Sequence, residues 1–233
     1  MIPVKSVRYV NLGNMSYQPA FELQGAVNRY LQAHPEETGF LFMVEHPPVF
    51  TLGRNGQTED FLFPIEMVKQ QGFEVVESNR GGNVTYHGPG QLVGYLLINL
   101  EQFRKDVQWY VWTLEEWVIQ TLKSLGVTAD RKPAYRGVWV GDEKICALGV
   151  AIKRWRTMHG FALNHETNLD HFTLINPCGI TEYGVTSLNR LGVTVDREQL
   201  VTVMLQTFEN LFQCTLEPTT LEEVKARVHI EKA

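Results

Sequence analysis

The residues able to do chemistry in this chain gather in a few short runs. The run Arg80-Gly81-Gly82-Asn83-Val84-Thr85-Tyr86-His87-Gly88-Pro89-Gly90-Gln91 holds four glycines, one arginine and one histidine in twelve residues. A Gly-Gly pair admits positive φ and lets the backbone approach a ligand with no Cβ in the way. Arg80 offers a planar cationic fork beside that backbone. His87 is of a type that titrates near neutral pH, and Gly88-Pro89-Gly90 turns the chain onward. The run also suits a long hairpin loop, with Phe73 to Glu77 and Leu92 to Leu100 as its flanking strands.

Three cysteines are present, Cys146, Cys178 and Cys214. An odd count with no signal-peptide core near the N-terminus predicts free thiols in a reducing cytoplasm. Cys178 lies in Asn176-Pro177-Cys178-Gly179-Ile180, a turn that leaves a thiol available. Cys214 follows an amphipathic helix and suits a small buried hydrophobe. Cys146 fits the same description, yet it lies two residues from Lys144 in Lys144-Ile145-Cys146-Ala147-Leu148-Gly149-Val150. Period-two alternation places both on one strand face. A lysine held in a pocket stabilises a thiolate and exchanges protons, whereas a solvated strand end needs neither. Cys178 and Cys146 are therefore both candidate nucleophiles. Metal binding is not expected, since His159, His165 and His171 are spaced by six and neither His-Glu-x-x-His nor Cys-x-x-Cys occurs. A Gly-x-Ser-x-Gly elbow and a P-loop are also missing.

The elements that must position these residues read as a mixture of helices and strands. Ser16 precedes a helical pattern of Tyr17, Ala20, Phe21, Val27, Tyr30 and Leu31, with Pro35 past its end. Gly39 to Glu45 is a strand-length apolar run. A short helix spans Pro64 to Gln71, stopped by Gly72. A strong helix carries Val107, Tyr110, Val111, Leu114, Trp117, Val118, Leu122 and Leu125 on one face between Asp106 and Gly126, so Trp117 reads as core. Val138-Trp139-Val140, the turn Gly141-Asp142-Glu143 and Lys144 to Ile152 read as a hairpin, followed by a strand from Thr157 to Asn164. Asp196 with Gln199 forms a capping box, with Val195 and Leu200 as a staple, for a helix ending at Phe212. Antiparallel hairpins with segregated helices predict an α+β fold of mixed, largely antiparallel sheets with packed helices. No linker, repeat or charge block interrupts residues 1–233, which read as a single domain.

A net charge of −5 argues against a general affinity for nucleic acid. No apolar run reaches membrane-spanning length, so no membrane partner is expected. The densest basic stretch, Lys153-Arg154-Trp155-Arg156, suits either a docking patch for an acidic protein or a solvated strand end.

The runs taken together resemble the lipoyl(octanoyl)transferases, the octanoyl-acyl-carrier-protein:protein octanoyltransferases. The likeness spans nearly the whole chain. It rests on Glu45-His46-Pro47-Pro48, Thr51-Leu52-Gly53-Arg54, Arg80 to Gln91, Lys144 to Val150, His159-Gly160-Phe161-Ala162-Leu163-Asn164, Asn176-Pro177-Cys178-Gly179 and Val185-Thr186-Ser187-Leu188. The Arg-Gly-Gly loop alone is shared with lipoate and biotin ligases. Departures are Cys146 where alanine is usual, Asn83 within the loop, and His165-Glu166-Thr167. The resemblance implies the α+β catalytic fold of biotin and lipoate protein ligases and a catalytic pair of Cys178 and Lys144. It implies substrate contacts at Arg80, Gly81, Gly82, Asn83, Val84, Thr85, Tyr86 and His87, at Ala147, Leu148 and Gly149, and at Gly160, Phe161 and Ala162. It implies octanoyl-acyl carrier protein as donor and a cysteine thioester intermediate. The acceptors would be apo lipoyl domains of 2-oxoacid dehydrogenase complexes and the glycine cleavage H protein. No ATP, metal or other cofactor is implied. The alternatives are an ATP-dependent lipoate or biotin ligase of the same fold, and a non-catalytic acyl-binding module.

Overall fold

The structure is a computed structural model, and it describes residues 5–176 and 183–229. Cys178, with the rest of residues 177–182, lies outside the described residues.

The larger of two sheets places its strands in the order β12, β1, β2, β6, β10, β9, β8, β7. These are β1 (Lys5–Asn14), β2 (Gly39–Glu45), β6 (Gln91–Ile98), β7 (Asp130–Lys132), β8 (Tyr135–Val140), β9 (Glu143–Lys153), β10 (Arg156–Asn164) and β12 (Cys214–Pro218). A further short strand, β11 (Gly184–Val185), pairs in parallel with Glu143 and Lys144 of β9. The smaller sheet has the order β4, β3, β5, from β3 (Val49–Leu52), β4 (Glu74–Glu77) and β5 (Val84–His87). The pairing from β2 through β6, β10, β9 and β8 to β7 is antiparallel, while β1 runs parallel to both of its neighbours. The fold is thus α+β with mixed sheets.

Helices cover both faces of the large sheet. On one side, α1 (Tyr17–Ala33) buries Ala20, Leu23, Val27 and Leu31 against Phe40, Phe42, Val93 and Leu97. On the other, α3 (Val107–Ser124) and α4 (Arg197–Phe212) pack together over Leu41, Leu96, Phe161 and Leu163. Trp117 is fully buried there, and its Nε1–H donates to the Met204 carbonyl at 2.7 Å. Burying a tryptophan costs a polar group unless its N–H is paired, and this bond pairs it. The caps read from sequence are present. Asp106 accepts from Trp109 N–H, and Asp196 and Gln199 form a reciprocal box. Ser16 precedes α1 without a side-chain cap bond. The shorter helices are α2 (Ile65–Gln70) and α5 (Leu221–Arg227).

One local reading is corrected. The Arg80–Gln91 run is not a hairpin loop between Phe73–Glu77 and Leu92–Leu100. Its Val84–His87 part is β5, paired with β3, so β4 belongs to the small sheet while β6 belongs to the large one. The run is therefore the crossing between sheets. In the basic stretch 153–156, Lys153 and Arg154 are exposed while Arg156 is not. Arg154 and Trp155 form the two-residue hairpin turn of β9 and β10, at φ +50° and +63°. Arg156 is buried and donates to Glu101, to the Leu31 carbonyl and to the Arg154 carbonyl. That turn lies nine residues along β9 from Lys144, roughly 30 Å at strand rise.

Candidate active site

A cavity of about 390 Å³ opens where the sheet-crossing run meets β9 and β10. This is within the usual size of small-molecule sites. Its construction begins with Arg80. The guanidinium is buried and donates from Nε to Thr51 Oγ1 at 3.0 Å, from a terminal nitrogen to the Thr51 carbonyl, and from the other to the Gly81 carbonyl at 3.0 Å. The fork thus clamps the crossing run to β3. Gly53 completes the clamp, since a Cβ there would sit 2.3 Å from the Gly82 carbonyl oxygen.

The run then takes over the edge of β9. β8 pairs with β9 only as far as Cys146, and beyond that Gly81 N–H donates to the Val150 carbonyl at 2.9 Å. Gly149 packs so close to Arg80 and Gly81 that a Cβ would lie 3.1 Å from each. The cavity wall is therefore backbone of two glycine-bearing segments, with Val93, Leu148, Phe161 and Ala162 as its apolar lining.

Lys144 enters this cavity because of an irregularity. Val138 pairs with Cys146 and Trp139 with Lys144, so Ile145 is an extra residue on β9. A bulge of this kind inverts the alternation. Lys144 shares the face of Trp139, and its ammonium lies 4.9 Å from the Trp139 ring centroid. Cys146 shares the face of Val138 and is fully buried in the core under α3 and α4. The expectation that Lys144 and Cys146 share a face is overturned. Burial pushes the Cys146 thiol far up from its ordinary range, and Cys146 does not line the cavity. It is a core residue, not a rival nucleophile.

A second polar layer holds the other side of the cavity. His46 Nδ1–H donates to the Met15 carbonyl at 2.6 Å, so its neutral ring accepts at Nε2 from Tyr95 O–H at 2.7 Å. His87 Nδ1–H donates to Gln91 Oε1 at 2.8 Å, and Gln91 Nε2 donates to Asn164 Oδ1 at 3.0 Å. Asn164 passes the chain to the Thr186 carbonyl, and Thr186 N–H donates to the Lys144 carbonyl. His87 is thus linked through three residues, Gln91, Asn164 and Thr186, to the backbone of Lys144. Burial holds His46 at about 4 and, with Arg80 and Arg54 nearby, His159 at about 3. Burial, with His46 and Arg80, holds His87 well below its ordinary value too. The sequence reading of His87 as a group titrating near neutrality is corrected: it stays uncharged.

Of the residues named from sequence, Arg80 to Thr85, His87, Lys144, Ala147 to Gly149 and Gly160 to Ala162 all line the cavity. Tyr86 does not. It points to the opposite face of β5, fully buried against Phe50, Phe73 and Phe172, with His171 on its hydroxyl. Sequence reasoning missed Tyr17, Tyr95, Tyr135, Trp139, His159 and Tyr183 as lining residues. His159 is in the left-handed region at φ +62°, with its N–H held by Gln24 Oε1 at 2.8 Å and its Nε2 by Asn79 Oδ1 at 2.6 Å. A non-glycine residue at positive φ is uncommon and costs energy, and no alternation pattern signals it. Among the described residues, no group of three or more His, Cys, Asp or Glu side chains is gathered to hold a metal. No described helix is long and apolar enough to cross a membrane.

Known proteins bear on this site at two levels. The protein bound with ATP in the structure of lipoate-protein ligase A shares the fold, at TM-score 0.82 and 17% identity, over 96% of this chain and 93% of that one. The bi-partite lipoate protein ligase of Thermoplasma acidophilum superposes at 0.77, also at 17% identity, over 97% and 91%. Sequence relatives are closer. The octanoyltransferase of Caldanaerobacter subterraneus is 45% identical over 91% of this chain and 92% of its own. That of Desulforamulus reducens is 44% identical over 92% and 93%. That of Gloeobacter violaceus is 42% identical over 90% and 92%. Residues 16–209 match the family described as the lipoyl protein ligase A/B catalytic domain. Identity at this level, across the full span that builds the cavity, places the chain in the lipoyl protein ligase A/B catalytic domain family, among its octanoyltransferases, which are acyltransferases.

Proposed function

We propose that this enzyme moves an octanoyl group from octanoyl-acyl carrier protein to a lipoyl-domain lysine through a thioester on Cys178. The observation that carries the reading is the placement of Lys144, the one lysine among the described cavity-lining residues, in the wall of a largely apolar cavity. A free thiol has a pKa of about 8.5 and needs a nearby cation to react at neutral pH. The Lys144 ammonium supplies that cation to Cys178. The thiolate attacks the carrier's thioester carbonyl, and the phosphopantetheine thiol leaves with a proton from Lys144. The acceptor amine then attacks the acyl-enzyme, Lys144 takes its proton back, and the amide forms as the Cys178 thiolate departs. Thioester to amide is downhill, so no ATP, metal or other cofactor enters the scheme.

The oxyanion donor is assigned to β9. Val150 turns its carbonyl to Gly81 at the edge that β8 leaves open, and backbone groups two residues apart point the same way. Leu148 N–H therefore faces the same edge. β10 is paired on both sides at Gly160 and Phe161, so their N–H groups are engaged in the ladders. Arg80 to Thr85 and His87, with Ala147–Gly149 and Gly160–Ala162, form the acyl site in this reading. The acceptors are apo lipoyl domains of 2-oxoacid dehydrogenase complexes and the glycine cleavage H protein, and the enzyme works in the cytoplasm as one domain.

Intact-mass measurement after mixing with octanoyl-acyl carrier protein tests the proposal. A gain of one octanoyl group without ATP is expected. No adduct, with transfer appearing only when octanoate and ATP are supplied, would replace it with the ligase reading.

A further inference from the structure

Three rings meet in the wall of the cavity. Trp139 and Tyr183 are 5.4 Å apart between centroids, Tyr135 and Tyr183 5.5 Å, and Tyr135 and Trp139 6.3 Å, at interplanar angles of 72°, 66° and 54°. All three line the cavity. Trp139 is fixed in its plane by an Nε1–H bond to the Tyr135 carbonyl at 3.1 Å. Two primary ammonium groups already lie on this cluster. Lys144 Nζ is 4.9 Å from the Trp139 centroid on the catalytic side. Lys132, from the edge strand β7, lies 3.8 Å from the Tyr183 centroid and 5.1 Å from that of Trp139.

We propose that Tyr135, Trp139 and Tyr183 form a receptor for the side-chain ammonium of the acceptor lysine, and that Lys132 is a resident occupant which the acceptor displaces. The proposal rests on the transferase reading above, which requires a lysine to reach the acyl-enzyme. Aromatic faces attract cations, most strongly where water is partly excluded, and Trp139 is buried. On its other side Lys132 pairs with Asp142, a side chain 80% exposed. Exposed pairs of that kind add little, so Lys132 gives way at small cost and keeps Asp142 as its partner. The position also suits the chemistry. An ammonium seated on Tyr183 and Trp139 shares the indole with Lys144, which is neutral once the carrier's thiol has left with its proton and so can accept one from the acceptor. The amine is thus delivered beside its base in the form that attacks.

The test reads binding rather than turnover. Nα-acetyl-lysine methylamide is titrated into 15N-labelled enzyme while the Trp139 indole N–H resonance is followed. The uncharged Nα,Nε-diacetyl analogue serves as the control. The wild type should show a saturable shift with the ammonium probe and none with the control. Lys132→Met, which keeps the stem and removes the competing charge, should bind roughly fivefold more tightly, and Tyr183→Leu roughly fivefold more weakly. Equal shifts with both probes, or no tightening in Lys132→Met, would overturn the receptor. Methionine keeps the stem that packs on Tyr183 and Trp139, so Lys132→Met folds even if Tyr183→Leu does not. Because no acyl transfer is involved, loss of this result leaves the intact-mass result standing, and the converse holds.

Discussion

The Lys144 ammonium stands over the Trp139 ring, 4.9 Å from its centroid, on the strand face opposite Cys146. A cation so placed has its stem against β8 and its charge in the cavity. Lys144→Met should lower octanoyl transfer by about 10²–10⁴, the usual worth of a positioned proton acceptor. Lys144→Arg should keep part of the thiolate but transfer poorly, because guanidinium does not give up a proton. The check is the pH profile of iodoacetamide alkylation at Cys178. It should move to higher pH in Lys144→Met, and an unmoved profile removes Lys144 from the mechanism.

Peptide mapping of the acyl-enzyme should place octanoate on Cys178. Cys146→Ala should still form the acyl-enzyme and lose about 1 kcal/mol of stability, as a small core truncation does. Octanoate found on Cys146 would contradict its full burial under α3 and α4.

Arg80→Ala should unfold more easily than wild type, by about 2–3 kcal/mol in urea melts, because hydrogen bonds from a charged group to Thr51 and Gly81 are lost. It should also lose activity at temperatures where it remains folded. Arg80→Lys should recover little stability, since one ammonium cannot reproduce the fork.

His46 and His159 make stability fall in acid. Their folded values, about 4 and about 3, lie below the ordinary 6.5, so the unfolded chain binds more protons between those limits. Stability is full above 6.5 and declines as pH falls from there, by up to about 1.4 kcal/mol per pH unit for each ring. Urea midpoints at pH 7, 6 and 5 should trace the decline. His46→Asn should flatten it, and an equal slope in that variant would show that His46 is not responsible.

Ala162 lines the cavity and is nearly fully buried. Ala162→Leu should shorten the acyl chain preferred, favouring hexanoyl over octanoyl. Each methylene excluded changes the preference about fourfold, read as relative kcat/KM on carriers of different chain length.

The fold was legible where one rule acted alone. The caps of α3 and α4, the strand Gly39–Glu45 and the β8–β9 turn all follow from local chemistry. β1 escaped notice because its burial follows neither clean alternation nor a continuous apolar run. Val84–His87 was hidden as a strand by the glycines on either side. The site was legible in its backbone segments and less so in its side chains. Alternation assigned Lys144 to the wrong neighbours because Ile145 is an added residue, and a bulge leaves no mark in composition. Arg156 looked like surface charge, although Glu101 and two carbonyls hold it inside. His159 reaches the cavity from β10 and Tyr183 from the residue just before β11, strands whose pairing with β6 and β9 only tertiary structure determines.

Phe161 carries a consequence for how such an enzyme changes over evolutionary time. Its ring lies on Gly94, where a Cβ would come within 2.2 Å, and it meets Trp117 edge-on at 5.0 Å. Trp117 is in turn bonded to α4 through Met204. A smaller residue at 161 opens a void against Trp117, and none at 94 can grow without striking the ring. Enlarging the cavity through this wall therefore draws in Trp117 as well as Phe161, so positions 117 and 161 should change together rather than one at a time.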